Sequence, residues 1–178
     1  PSTAPADPLM AQAMQNTDER IAQDKPVTPG FMLAVLLWQD YRARTADHEA
    51  NAKPAEARFL AAAEAISAQQ QVMAIPKRFS QFVRDVWMLQ ERLLERRPRN
   101  VARLFEHQRF RAGYDFLLLR GQVGEEAVIE AADWWTRYQE VDSQQRDEMT
   151  GGLTGRKPRR RRKKKKSNPE APDSLECP

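Results

Sequence analysis

Two histidines, one cysteine and the carboxylates are the residues here that could do covalent or metal chemistry, and their spacing excludes most of it. His48 and His107 stand in separate contexts, with no second imidazole or cysteine at ligand spacing from either, so no zinc site is expected. Cys177 is the sole cysteine and lies beside the C-terminus; it can form neither an intramolecular disulfide nor a thiolate cluster. No D-x-D pair is present to hold two metal ions for phosphoryl or nucleotidyl transfer. The glycine patterns of dinucleotide folds, P-loops and serine hydrolases are also missing. Glu91 and Glu95 stand four apart but alternate with arginine, the pattern of surface charge pairing rather than acid–base work. The chain therefore shows no active site, and neither a metal nor a cofactor is expected on it.

What remains is binding chemistry, carried by cations. Residues 156–166 read RKPRRRRKKKK: Arg156, Lys157, Arg159, Arg160, Arg161, Arg162, Lys163, Lys164, Lys165 and Lys166 place ten positive charges in eleven positions. Such a block repels itself and builds no core, so it must be solvated or paired with something negative. A nucleic acid, an anionic membrane, an acidic protein or a nuclear import receptor would each serve. Residues 156–178 carry +7 in all, whereas the first 155 residues hold 19 positive and 22 negative charges. The body is thus mildly acidic, and the split suggests an interaction arm on a folded unit.

A second basic region lies inside the body. Over 77–120, eleven cations (Lys77, Arg78, Arg84, Arg92, Arg96, Arg97, Arg99, Arg103, Arg109, Arg111 and Arg120) face five acids. From residue 84 onward all nine are arginine, whose planar fork suits bidentate phosphate contacts and stacking on bases. Phe79, Trp87, Phe105, Phe110, Tyr114 and the Trp134–Trp135 pair are interleaved with or follow this charge. Exposed rings serve single-strand binders as stacking platforms, but the helical spacing of these rings assigns most of them to a core. Adjacent residues on a helix point ~100° apart, so one of the two tryptophans is expected to be partly exposed.

The elements that must position these residues read as helices almost throughout. Strand signals are weak, with seven glycines and no Asn-Gly or Asp-Gly hairpin turn. A first short helix spans about 8–23. TPGFMLAVLLWQDYRAR reads as one helix capped by Thr28 with Pro29 at its first position. It is apolar on most sides and therefore central. An alanine-rich helix follows at roughly 53–74, with Phe59, Ala62, Ala63, Ile66 and Met73 inward. The next starts at Pro76, buries Phe79, Phe82, Val83, Val86, Leu89 and Leu93, and ends at Pro98. Asn100 then caps a short helix, VARLFEH. QRFRAGYDFLLLR follows with Phe110, Tyr114, Leu117 and Leu118 inward, and EEAVIEAADWWTRYQEV with Val128, Ala132, Trp135 and Tyr138. A GGLTG hinge at 151–155 leads to the tail, read as disordered. The fold class is all-α, a compact bundle with a disordered basic C-terminal tail. Its parts are body helices at 1–74, a basic helical domain at 75–150 and a flexible basic tail at 151–178. FMLAVLLW is the longest apolar run and falls short of the ~18–20 residues of a membrane span, so a cytoplasmic protein is expected. The chain opens PSTAPADP without an initiator Met and reads as a fragment of something longer.

Three stretches carry a resemblance together: QNTDERIAQDKPVTPGFMLAVLLW (15–38), IPKRFSQFVRDVWMLQERLLERRP (75–98) and LFEHQRFRAGYDFLLLR (104–120). With WW..YQ at 134–139 and the Pro/Arg/Lys tail behind them, they resemble the C-terminal part of the bacterial poly(A) polymerase I family. That family belongs to the class II nucleotidyltransferases, alongside the CCA-adding enzymes. The resemblance implies an RNA-binding segment of an enzyme that adds adenylates from ATP to RNA 3′ ends. The chemistry, with its Mg²⁺ and ATP, would belong to an N-terminal head that this chain lacks, so the chain alone is not expected to be active. FVRD at 82–85 matches part of a head motif but without its glycine pair, and no catalytic role is carried to Arg84 or Asp85. The implied partners are single-stranded RNA 3′ ends and, through the tail, RNA-processing proteins. A CCA-adding relative and a helical protein–protein adaptor with a basic tail are the alternatives; a nuclear localisation signal fits least.

Overall fold

Proline marks where many of the helices begin. A proline at the first helical position gives up an N–H that had no intrahelical partner in any case, and its ring fixes φ near the helical value. In the computed structural model, which describes residues 7–153, this device opens α1 (Pro8–Ala22), α2 (Pro29–Leu36), α4 (Pro54–Gln70) and α6 (Pro98–Phe105). The remaining helices are α3 (Trp38–Glu49), α5 (Lys77–Glu95), α7 (Phe110–Gln122), α8 (Glu126–Glu140) and α9 (Ser143–Gly152). The fold is an all-α bundle, with no strand among the described residues. None of the described helices is long and apolar enough to cross a membrane.

Several local expectations need correcting. The stretch from Pro29 is two helices, because Leu37 takes φ −93° and ψ 0° and ends α2. Across the break Ala34, Val35, Trp38 and Tyr41 still share the core, as they would on one continuous helical face, and Leu36 is left half-exposed. Thr28 precedes the helix but makes no side-chain cap bond. Helix α4 stops at Gln70, and its buried face is Ala57, Ala61, Ala62, Ala65 and Ile66. Phe59 is 63% exposed and Met73 49%, because packing favoured the small side chains that let α4 come close to α3. Pro98 begins α6 rather than merely ending α5, so Asn100 lies inside the helix and does not cap it. The chain reverses between these helices at Arg96, which closes α5 in the left-handed region at φ 44°. The segment after α8 hides a further helix. The Asp142 side chain accepts from the Gln145 backbone N–H, and the Gln145 side chain answers the Asp142 N–H. That helix runs through Gly151 and Gly152, the first residues of the expected hinge.

Two clusters form the interior, and α5 and α7 contribute to both. The first joins α1 to α4 with Phe82, Val83, Val86 and Trp87 of α5 and Phe116 and Leu119 of α7, so it draws on both sides of residue 74. Trp87 stacks on Tyr41 with centroids 4.4 Å apart, and its indole N–H donates to the Ala34 carbonyl at 3.1 Å. The second cluster packs Leu89 and Leu93 against Val101, Leu104, Phe110, Tyr114, Leu117 and the inner face of α8. There Trp135 donates to the Leu93 carbonyl at 2.9 Å. Gly113 permits the close α5–α7 approach, since a Cβ there would stand 3.0 Å from Leu89 Cδ1. Trp134 and Trp135 are both buried, at 6% and 0% exposure, contrary to the expectation of one exposed ring. Helical geometry separates them by ~100°, but α8 is covered over a wide enough arc to take both.

Candidate nucleic-acid interface

The eleven cations of residues 77–120 divide by what already holds them. Arg120 is an interior residue, 7% exposed. Its Nη2 donates to Glu125 at 2.7 Å and its Nη1 to Gln90 at 3.2 Å, while the guanidinium lies 5.0 Å from the Trp38 ring. Gln90 completes the arrangement by donating to the carbonyls of Val86 and Gly113. A buried charge is tolerable only with such partners, so Arg120 ties α7 to α5 and to the start of α8. Arg96 is held similarly by a two-pronged pair with Glu130, at 2.9 and 2.7 Å, beside the Trp134 ring. That pair holds the Glu130 carboxyl below its usual range.

A second group meets a carboxylate or a ring at or near the surface, with Arg109 the most enclosed of them. Arg97 meets Glu95 at 2.7 Å and Arg111 meets Asp115 at 3.1 Å. Arg109 lies 3.7 Å from Asp85 and 5.1 Å from the Phe82 ring, and Arg78 lies 4.8 Å from the Phe79 ring. Exposed pairs of this kind are worth little and can be exchanged for an incoming anion.

The third group is unengaged. The side chains of Lys77, Arg84, Arg92, Arg99 and Arg103 make no hydrogen bond or ion pair among the described residues, and the Arg84 Nε is buried without an acceptor. Lys77, Arg84 and Arg92 recur at about two and four turns along the outer face of α5, and Arg99 and Arg103 share one face of α6. These five are the cations of residues 77–120 best placed to meet a phosphate chain. Arg156, Lys157, Arg159 to Arg162 and Lys163 to Lys166 lie outside the described residues.

The rings do not serve as open platforms. Trp87, Phe110, Tyr114, Trp134 and Trp135 are core, and only Phe79 and Phe105 keep partial exposure. Sequence reasoning missed a concave site of about 490 Å³ where α1 and α2 face α7. Arg20, Arg109 and Arg111 line it, with Asn16, Gln108 and Gln122 as amides and Phe31, Met32 and Leu118 as apolar wall. Nothing in the sequence around Arg20 signals that α1 would fold over the start of α7. Among the described residues no group of three or more His, Cys, Asp or Glu is placed to hold a metal ion.

A protein family described as "Polymerase A arginine-rich C-terminus" matches residues 50–168. Poly(A) polymerase I of Haemophilus influenzae is 32% identical over 146 residues, covering 81% of this chain and 32% of that protein. Poly(A) polymerase I of Escherichia coli O6:H1 is 33% identical over 139 residues, covering 76% and 30% respectively. For the Salmonella typhi protein of the same name the figures are 34% over 134 residues, 74% and 29%. The chain thus spans under a third of the length of these relatives.

Proposed function

The chain belongs to the poly(A) polymerase arginine-rich C-terminus family, and from that premise we propose that it is the RNA-holding C-terminal region of a polymerase that adds adenylates from ATP to RNA 3′ ends. In this reading the strand is attracted by the basic run at 156–166 and oriented by the unengaged cations of α5 and α6. Nucleotidyl transfer, with its Mg²⁺ and ATP, belongs to a separate catalytic head, and the work is done in the cytoplasm. The observation that carries the reading is that five of the eleven cations of residues 77–120, Lys77, Arg84, Arg92, Arg99 and Arg103, have no side-chain partner among the described residues, inside the segment the family matches. Charged groups without protein partners are free to replace the counterions of a phosphate chain, which is what makes such binding strong at low salt.

The test is fluorescence anisotropy on a short oligo(A) strand across a salt series, with the full chain and with a version ending at Gly155. If the tail engages ~5 phosphates at a slope of ~0.7 each, fourfold more salt costs about two decades of affinity. The truncated chain is expected to bind more weakly with a shallower slope, and Arg92→Glu with Arg103→Glu to weaken it further. A second reading, a protein–protein adaptor, has its own observation in the exposed Phe59, Leu60, Val72 and Met73 on and just beyond α4. It requires that the charge reversals leave RNA affinity unchanged, and that result would replace the first reading with the second.

A further inference from the structure

The site between α1, α2 and α7 has features that phosphate attraction alone would not need. Its volume of about 490 Å³ lies in the range of small-molecule sites, which are mostly apolar with a few placed polar groups. Phe31, Met32, Ala112, Leu118 and Leu119 supply the apolar surface. The amides around it are ordered in a chain: Gln12 donates to Asn16 at 3.0 Å, and Asn16 donates to Gln122 at 2.8 Å. Because the Gln122 oxygen is taken, its NH₂ is left to donate. The Gln108 side chain has no partner among the described residues and offers both a donor and an acceptor.

The charges at the site are three guanidiniums and two carboxylates. Arg20 is spent on the Pro26 carbonyl, at 3.0 and 3.2 Å, which pins the start of the α1–α2 connection. Asp115 is held by Arg111, and Glu19 accepts from Gln15 at 3.4 Å. Arg109 and Arg111 are therefore the groups that can turn to an incoming phosphate: Arg111 is largely exposed, and the buried Arg109 Nε has no hydrogen-bond partner among the described residues, with Asp85 3.7 Å away. An apolar slot, amides with both hydrogen-bonding senses and two adjacent arginines form the complement of a nucleotide. Side-chain amides match the donor–acceptor edge of adenine, and arginine forks match phosphate.

We propose that this site takes one base of the bound RNA strand, with the edge of the base on Gln108 and Gln122 and its phosphate on Arg109 and Arg111. The inference rests on the RNA-holding reading above and adds to it a base-dependent contact, where the tail and the unengaged cations give only phosphate contacts.

The experiment compares, with the full chain at one fixed salt concentration, the affinity for an eight-nucleotide oligo(A) with that for an eight-unit abasic phosphate chain. The tail attracts both polymers through phosphate, so the ratio of affinities isolates the base. The unaltered chain is expected to prefer oligo(A) by roughly tenfold, the scale of one buried or stacked base. Ala112→Phe, which fills the slot, and Gln108→Ala, which removes a rim amide, are expected to bring that ratio toward one and leave abasic affinity unchanged. Gln108→Ala is a surface change that keeps the test decisive if Ala112→Phe fails to fold. Equal affinity of the unaltered chain for the two polymers overturns the inference and leaves the RNA-holding reading standing. So does a preference that survives Gln108→Ala and a folded Ala112→Phe. Binding to neither polymer overturns the RNA-holding reading itself.

Discussion

The cluster around Trp87 and the cluster around Trp135 use the same device and finish differently. Each places an indole against a backbone carbonyl of a neighbouring helix, Ala34 in one and Leu93 in the other. Around Trp87 the packing relies on the alanine face of α4 and on the Trp38–Tyr41–Trp87 group, and a concave site stays open beside α1. Around Trp135 the rings of Phe105, Phe110, Trp134 and Tyr138 meet edge to face or stacked and fill the space between α6, α7 and α8. The arginines follow the same division. Arg96 and Arg120, close to buried surface, are bound by carboxylates and rings, whereas Arg92, Arg99 and Arg103 stand on outer faces with no partner among the described residues. For these five arginines burial, and not residue type, decides whether the cation stabilises the fold or is available to a ligand.

The largest effects should come from breaking either cluster. Trp87→Ala and Trp135→Ala are each expected to cost about 3–5 kcal/mol in urea unfolding. Because α5 and α7 pass through both clusters, a single transition should be seen in each variant; two transitions would mean that the clusters fold independently. Next comes the contrast between buried and open arginines. Arg120→Met should cost about 3 kcal/mol, since it strands Glu125 and Gln90, while Arg92→Glu should stay within about 0.5 kcal/mol and act on RNA affinity instead. Urea midpoints for the two variants test that division directly.

Two smaller effects involve pH. Burial pushes the Asp115 carboxyl above its usual range despite Arg111 beside it. A raised folded-state value means that protonation favours the fold, a contribution present below the unfolded pKa and lost as pH rises through the folded one. Asp115→Asn should therefore raise the melting temperature modestly at neutral pH and narrow its difference from the unaltered chain in acid. The Glu130 carboxyl has the opposite sign, because Arg96 lowers it. Its contribution is present above the unfolded pKa and fades as pH falls through the folded one. Glu130→Gln should lower stability slightly at neutral pH, the smallest change of the set because Glu130 is largely exposed, and should have no effect in strong acid. Melting curves across pH for both variants would show differences of opposite sign at neutral pH, each shrinking in acid.

Much of the fold was legible because long amphipathic helices state their inner face directly. Leu89, Leu93, Val128, Ala132, Trp135 and Tyr138 lie where helical spacing puts them. The errors have a common cause. Phe59 and Met73 were assigned inward because they are large and apolar, but α4 buries its alanines, and only the distance to α3 could reveal that preference. Helix α9 has a polar sequence with no inward stripe, and its only sequence signal is the capping pair Asp142 and Gln145.

The sequence by itself determined the helical class, four of the nine described helix starts through proline, and the presence of two basic regions, since these depend on local sterics and on charge count. Only the tertiary structure decided which cations are free. Arg92 and Arg120 are the same residue type within one basic stretch, and what separates them is the solvent each loses on folding and the carboxylate that compensates for it. The site beside α1 was likewise decided in three dimensions, because it joins residues 16–32 to residues 108–122, and no local pattern encodes that approach.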